Sequence, residues 1–174
     1  MPGSGKSETS AYLASIGLSL VRFGDLTEEG LAEQGLPVTP ENEQKFREEI
    51  RQKHGMEAYA VLAEPKINEL LSQNKSVVID GLYSWEEYKF LTTRLKNLKL
   101  IHIYAEPSIR YERLSKRSVR PFTIEEAKSR DISEIEKLNK GGPIAIADYV
   151  AENNSDVDSL KQRLSEILER NKKS

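Results

Sequence analysis

The sequence predicts an α/β fold in which a parallel sheet is covered by helices on both faces. Three observations carry this. The apolar runs around Val77-Val78-Ile79 and Ile101-His102-Ile103 read as strands buried on both sides. Helical patterns lie between the strand candidates, so successive strands need crossover connections and run parallel. Helix-start signals stand where those patterns begin, at Thr39-Pro40 and at Thr123 with Glu126.

Residues 4–16 read as a loop entering a helix that carries Ala11, Leu13, Ala14 and Ile16. Residues 18–23 form a short apolar run ended by Gly24, a strand candidate. Thr39 caps a long polar helix with Pro40 at its first position and Glu41 and Glu43 in its first turn. Gly55 interrupts that helix, and Pro65 is expected to start a new piece reaching Leu71. Residues 76–80 are the next strand, closed by Asp80-Gly81. Residues 85–95 are helical in composition. Residues 98–105 form another strand, stopped by Glu106-Pro107, and a helix with Ile109 and Leu114 follows. The capping box Thr123/Glu126 opens a helix expected to place Ile124, Ala127, Ile135 and Leu138 on its inner face, with Gly141-Gly142-Pro143 ending it. Residues 147–152 are a last strand. Val157, Leu160, Leu164, Ile167 and Leu168 mark a C-terminal amphipathic helix before the polar tail 170–174.

The 174 residues suit one domain spanning 1–174. A net charge of −2 gives no global positive field for nucleic acid or an anionic membrane, so neither is expected as a partner. Without cysteine there is no disulfide, thiol nucleophile or thiolate metal site. No apolar run approaches the roughly 20 residues that cross a bilayer. With no signal-peptide pattern at the start either, a cytoplasmic location is expected.

Gly3-Ser4-Gly5-Lys6-Ser7 matches the end of the phosphate-loop pattern G-x-x-x-x-G-K-[ST]. Glycines let backbone N–H groups close on phosphate oxygens, and the helix opening at Lys6 adds its positive end. Gly3, Ser4, Gly5, Lys6, Ser7 and Glu8 are therefore candidate nucleotide contacts. Lys6 is placed on the β/γ oxygens and Ser7 on Mg²⁺. A flexible Gly-Ser start is the plain alternative, but the helix and the downstream strand ending in Asp80 weigh against it. With this loop the fold reads as a three-layer αβα P-loop NTPase. The strand that feeds such a loop lacks a counterpart before Met1, so a central strand is expected to be missing from the sheet.

Asp80, at the carboxyl end of its strand, is the second candidate for Mg²⁺; a simple Asp-Gly turn is the alternative. Asp25 follows the second strand and is a candidate acceptor base or orienter, with helix capping as the other reading. Arg113, Arg117 and Arg120 form an arginine segment that could close over a phosphoryl group, Arg117 first among them; a solvated helix face is the alternative. Arg130 reads instead as an ion-pairing partner of neighbouring acids. Asn153, after the last strand, is placed on the base of a nucleotide or in a turn. Tyr83 and Trp85 read equally as pocket lining or packing, and His54 and His102 as structural.

Taken together, Met1 to Glu8, Gly24-Asp25, Thr39-Pro40-Glu41-Asn42, Ile79-Asp80-Gly81, Arg130-Asp131 and Ile146-Ala147-Asp148 leading to Asn153 resemble the P-loop group of dephospho-CoA kinase and nucleotide-kinase-like proteins. The look is closest to archaeal adenylate-kinase-related proteins. The resemblance implies a parallel core, an acceptor-binding helical insert near residues 25–75, a lid near 113–142, and ATP with Mg²⁺. It implies transfer of the γ-phosphoryl group to a small nucleotide-like acceptor: dephospho-CoA, a nucleoside monophosphate or a nucleoside. Glu28 and Tyr83 stand where the archaeal pattern has arginines, and Arg22, Arg47 and Arg51 are possible replacements. A nucleotide-binding regulatory protein with slow NTPase activity is the second expectation.

Overall fold

The computed structural model describes residues 1–173; Ser174, the last of the polar tail, lies outside the described residues. The chain divides into two compact units, Leu13–Leu98 and Met1–Tyr12 with the chain from Lys99 onward. The division falls inside the first helix, α1 (Lys6–Ser15).

In the unit Leu13–Leu98, β1 (Ser19–Arg22) passes without a turn into α2 (Phe23–Glu33), because Arg22 is still extended while Phe23 already begins the helix. Gly24 therefore lies inside α2 rather than ending the strand. After it comes α3 (Pro40–His54), whose Thr39 hydroxyl accepts from the Asn42 N–H at 3.2 Å and which stops at Gly55, as the sequence leads one to expect. Gly30 of α2 has no side chain, and the Phe46 ring of α3 occupies the space a Cβ would need. α4 (Ala58–Ser72) corrects one expectation: the helix starts at Ala58, and Pro65 lies within it. The ring leaves the Val61 carbonyl without an i+4 donor, but packing of Tyr59, Ala60, Ala63 and Ile67 into the core outweighs that local loss. β2 (Val77–Asp80) pairs in parallel with β1, setting Arg22 against Asp80. α5 (Trp85–Arg94) follows with a full capping box from Ser84 and Glu87. The core joins Val21, Phe23, Tyr59, Ile67 and Leu91; full burial of each such side chain contributes about 1.5–3 kcal/mol.

The other unit contains β3 (Ile101–Tyr104), α6 (Pro107–Ser115), α7 (Ile124–Leu138), α8 (Gly141–Ala145), β4 (Tyr149–Glu152) and α9 (Val157–Lys173). β3 and β4 pair in parallel. Asp148 ties their starts together by accepting from the Leu100 N–H at 2.8 Å and from Lys99 at 3.2 Å. The core is Ile103 and Ala151 against Leu160, Leu164 and Ile167 of α9. His102 is half-buried, its ring edge-on to Tyr104 at 5.9 Å, and burial lowers its pKa.

Two further expectations change. Gly141-Gly142-Pro143 opens the short helix α8; α7 ends earlier, at Asn139 in the left-handed conformation. The inner face of α7 is Ala127, Asp131 and Glu134, while Ile124 and Ile135 are each 51% exposed. The strands form two parallel pairs, and among the described residues neither β2 nor β3 has a second strand partner. No helix among the described residues is long and apolar enough to cross a membrane.

Candidate active site

The loop before α1 is built on two glycines in the left-handed region, Gly3 at φ 74° and Gly5 at φ 99°. Both conformations are strained for any residue with a side chain. Space forbids one as well: a Cβ on Gly3 would lie 2.7 Å from the Arg110 carbonyl oxygen, and one on Gly5 would overlap the Asn153 amide. Lys6 then opens α1, whose first N–H groups have no partner within the helix. The Lys6 ammonium folds back to the Met1 carbonyl at 2.9 Å. Thr9 locks the turn by donating its N–H and its hydroxyl to the Gly5 carbonyl, at 3.0 and 3.1 Å. Ser7 and Glu8 are exposed in the first turn. The Ser4 hydroxyl is buried and has no hydrogen-bond partner among the described residues.

Two side chains hold the loop from outside. Asn153 follows β4, anchored by its N–H to the Tyr104 carbonyl at 2.7 Å, and its amide donates to the Ser4 carbonyl at 2.8 Å. Its own side-chain oxygen is buried and has no hydrogen-bond partner among the described residues. Arg113 donates to the carbonyls of Asn153 at 2.8 Å and Ser155 at 3.1 Å, fixing the turn that carries Asn153. The second holder is Arg110, which sequence reasoning missed. From α6 it reaches the Pro2 carbonyl at 3.2 Å and the Ala105 carbonyl at 3.1 Å, and grips Asp131 of α7 with two bonds of 2.9 and 2.6 Å. The Tyr111 hydroxyl adds a third bond to Asp131 at 3.0 Å. The available signal was position: Arg110 precedes the core residue Leu114 by one helical turn, so it faces inward.

Glu134 of α7 is buried between Lys140, to which it is tightly paired, and Arg130 at 3.2 Å. Burial pushes its carboxyl up, but Lys140, then Arg130 and Lys6, outweigh this and hold it below the ordinary value. Arg117 is exposed, with no side-chain partner among the described residues; Arg120 is exposed with φ 52°.

In the unit Leu13–Leu98, parallel pairing brings the two aspartates picked from the sequence to one cation. Arg22 approaches Asp25 at 3.2 Å and Asp80 at 3.8 Å. Asp80 is the more sheltered carboxylate, 15% exposed against 40% for Asp25. Trp85 stacks on Tyr88 at 5.5 Å, and the Tyr83 N–H donates to Glu87 at 2.7 Å.

The residues fit a bound polyphosphate and a hard cation. A two-glycine cradle, a helix N-terminus and a lysine suit the former. Each considered within its own unit, the Ser7 hydroxyl and the Asp80 carboxylate are oxygen donors of the type Mg²⁺ takes.

A family described as an AAA domain matches residues 1–139 of the chain. Proteins described as UPF0200 are similar over nearly its whole length. The one from Thermococcus sibiricus is 34% identical, covering 98% of this chain and 91% of the relative; that from Thermococcus onnurineus is 35% identical, covering 98% and 94%. Among solved structures, shikimate kinase from Bacteroides thetaiotaomicron is similar with a TM-score of 0.60 at 18% identity, covering 96% of this chain and 93% of that one. TT1252 from Thermus thermophilus gives 0.58 at 19%, covering 97% and 93%. At such identity the likeness concerns the fold, which is that of the P-loop NTPases and kinase-like.

Proposed function

The chain belongs to the UPF0200 proteins, and from its phosphate loop and kinase-like fold we propose that it is an ATP-dependent kinase for a small, nucleotide-like acceptor. The observation that carries the proposal is the cradle of Gly3 and Gly5, pinned by Asn153 and Arg110 and opening onto the first turn of α1. In this reading the backbone around Ser4 and Gly5 and the first turn through Glu8 hold the phosphates. Lys6 leaves the Met1 carbonyl for the β/γ oxygens. Ser7 and Asp80 are the residues that would hold Mg²⁺, an ion that would supply positive charge against those oxygens. Asp25 orients the acceptor hydroxyl and takes its proton, with Arg22 beside it balancing the charge. Arg117 closes on the transferring group, and Arg113 and Asn153 serve nucleotide binding by shaping the loop. That division of roles is supported by the geometry: Asn153 is bound to the Ser4 carbonyl of the loop and Arg113 to the backbone of the turn carrying Asn153, whereas Arg117 is exposed and has no partner among the described residues.

The test is ATP consumption with dephospho-CoA, nucleoside monophosphates and nucleosides as acceptors, with Lys6→Ala as control. One acceptor should stimulate Mg²⁺-dependent turnover, and Lys6→Ala should lose ATP binding. Stimulation by none, with ATP still bound, would favour a regulatory nucleotide-binding protein with slow NTPase activity.

A further inference from the structure

The last residue of β1 breaks two local rules at once. Arg22 stands at the N-cap of α2, where Ser, Thr, Asp or Asn would accept from the first free N–H groups, and its side chain makes no such bond. It also puts a cation at the positive end of a helix. A residue that breaks local rules in this way calls for a gain elsewhere. Here the gain is electrostatic: the guanidinium faces two carboxylates, Asp25 at 3.2 Å through Nη1 and Asp80 at 3.8 Å through Nε.

Both carboxylates are placed by the backbone. Asp25 lies in the first turn of α2. Asp80 is set opposite Arg22 by the parallel register of β1 and β2. Just after it Gly81, at φ 103°, lets the chain turn closely past Phe23; a Cβ there would lie 3.2 Å from the Phe23 Cβ. The end of β2 is therefore pressed on the start of α2. The two contacts of the arginine are unequal. The one to Asp25 is the shorter, and that carboxylate is the more open to water. The one to Asp80 reaches the sheltered carboxylate at a distance too long for a hydrogen bond. Arg22 thus offsets the Asp80 charge without taking up its lone pairs.

We propose that Arg22 is a built-in competitor for the divalent cation at Asp80: the guanidinium offsets that carboxylate until a cation is held there, then yields Asp80 and stays on Asp25. This rests on the reading of Asp80 as a metal-holding residue and not on kinase activity. It makes Arg22 a positioning residue that sets how much Mg²⁺ the chain needs. A guanidinium keeps its charge at any ordinary pH, so cation concentration, not protonation of the arginine, decides the competition.

The test measures Mn²⁺ binding to the full chain without nucleotide, from the electron paramagnetic resonance signal of the free ion, so no turnover is needed. Arg22→Gln should bind Mn²⁺ about three- to tenfold more tightly than the parent. Arg22→Lys, which keeps the charge, should stay near the parent. Adding Asp80→Asn to Arg22→Gln should abolish the gain. Equal affinity in the parent and Arg22→Gln, with Asp80→Asn weakening both, overturns the competitor and leaves Asp80 as a metal-holding residue. Equal affinity in every variant, Asp80→Asn included, overturns both. A gain shared by Arg22→Lys traces to altered shape rather than lost charge, and one that survives Asp80→Asn belongs to other carboxylates; either overturns the proposal. The parent chain supplies a readout that needs no variant. Its Arg22 Nε–Hε resonance, in ¹⁵N-labelled protein, should move saturably with MgCl₂ and not with NaCl at the same ionic strength. No movement, or equal movement with both salts, overturns the proposal.

Discussion

Asn153 donates its side-chain amide to the Ser4 carbonyl at 2.8 Å, so the residue after β4 holds the loop that begins α1. The same amide fills the space beside Gly5. Gly5→Ala must therefore push Asn153 aside and also hold alanine at φ 99°. The expected result is a loss of about 1–3 kcal/mol in stability and a larger effect on ATP, at least about tenfold in Kd. Denaturant melts and ATP titration measure the two. Unchanged ATP affinity would show that this loop does not cradle the nucleotide.

Arg110 and Asp131 are a nearly dry ion pair, 6% and 11% exposed, with Pro2 and Ala105 as further acceptors for the arginine. Removing one partner leaves the other charged and buried. Asp131→Ala is expected to cost about 3–5 kcal/mol of stability by urea denaturation. A cost under about 1 kcal/mol would mean that the pair is solvated in solution and does not brace the loop.

These two relationships mark where sequence reading ends. Helix caps were legible because their chemistry is local: Thr39 with Asn42 and Thr123 with Glu126 lie three residues apart. β2 was legible as a β-branched run ending in Asp80. The inward face of α7 was not. Apolar periodicity selects Ile124, Ile135 and Leu138, yet Asp131 and Glu134 turn inward because Arg110 and Lys140 wait for them. Arg110 is 21 residues away from Asp131 in sequence, beyond any helical period. Pro65 misled for a related reason: a local breaker was overruled by the packing of Tyr59, Ala63 and Ile67. At the site, the phosphate loop and both aspartates were readable as residue types. That Arg22 joins Asp25 to Asp80 depended on the β1–β2 register, which no local signal specifies.

Glu134 makes a prediction about acid. Its folded pKa is held below the ordinary 4.5, so its stabilising contribution is complete above about that pH. As pH falls through the depressed folded value, the unfolded chain takes up the proton first and the contribution is lost. As pH falls below the ordinary 4.5, stability should therefore drop less steeply in Glu134→Gln than in the parent, although the variant is weaker at pH 7 because Lys140 stays buried. Parallel acid limbs in the two proteins would remove Glu134 from the account.

Asp25 separates acceptor chemistry from ATP binding. It is 40% exposed and its partner is Arg22, not a loop residue. Asp25→Asn keeps the shape but cannot accept a proton, so acceptor phosphorylation should fall by about 10²–10⁴ while ATP affinity changes little. A fall in ATP affinity with normal turnover of bound ATP would move Asp25 to the donor side.

Arg117 offers the cleanest division between structure and chemistry. Its side chain is exposed and unpartnered among the described residues, unlike Arg110 and Arg113, which are tied to backbone carbonyls. An exposed arginine contributes little to folding, so Arg117→Ala should change stability by no more than about 0.5 kcal/mol. An arginine that meets the transferring phosphoryl group is worth about 10³–10⁵ in turnover where such groups act. The variant should thus melt like the parent while losing at least about a hundredfold in kcat, with KM for ATP moved less. Arg113→Ala should do the reverse, loosening the Asn153 turn and weakening ATP binding more than kcat. If Arg117→Ala turns over normally, the closing residue lies elsewhere in the segment, and Arg120, whose backbone sits at φ 52°, becomes the next position to vary.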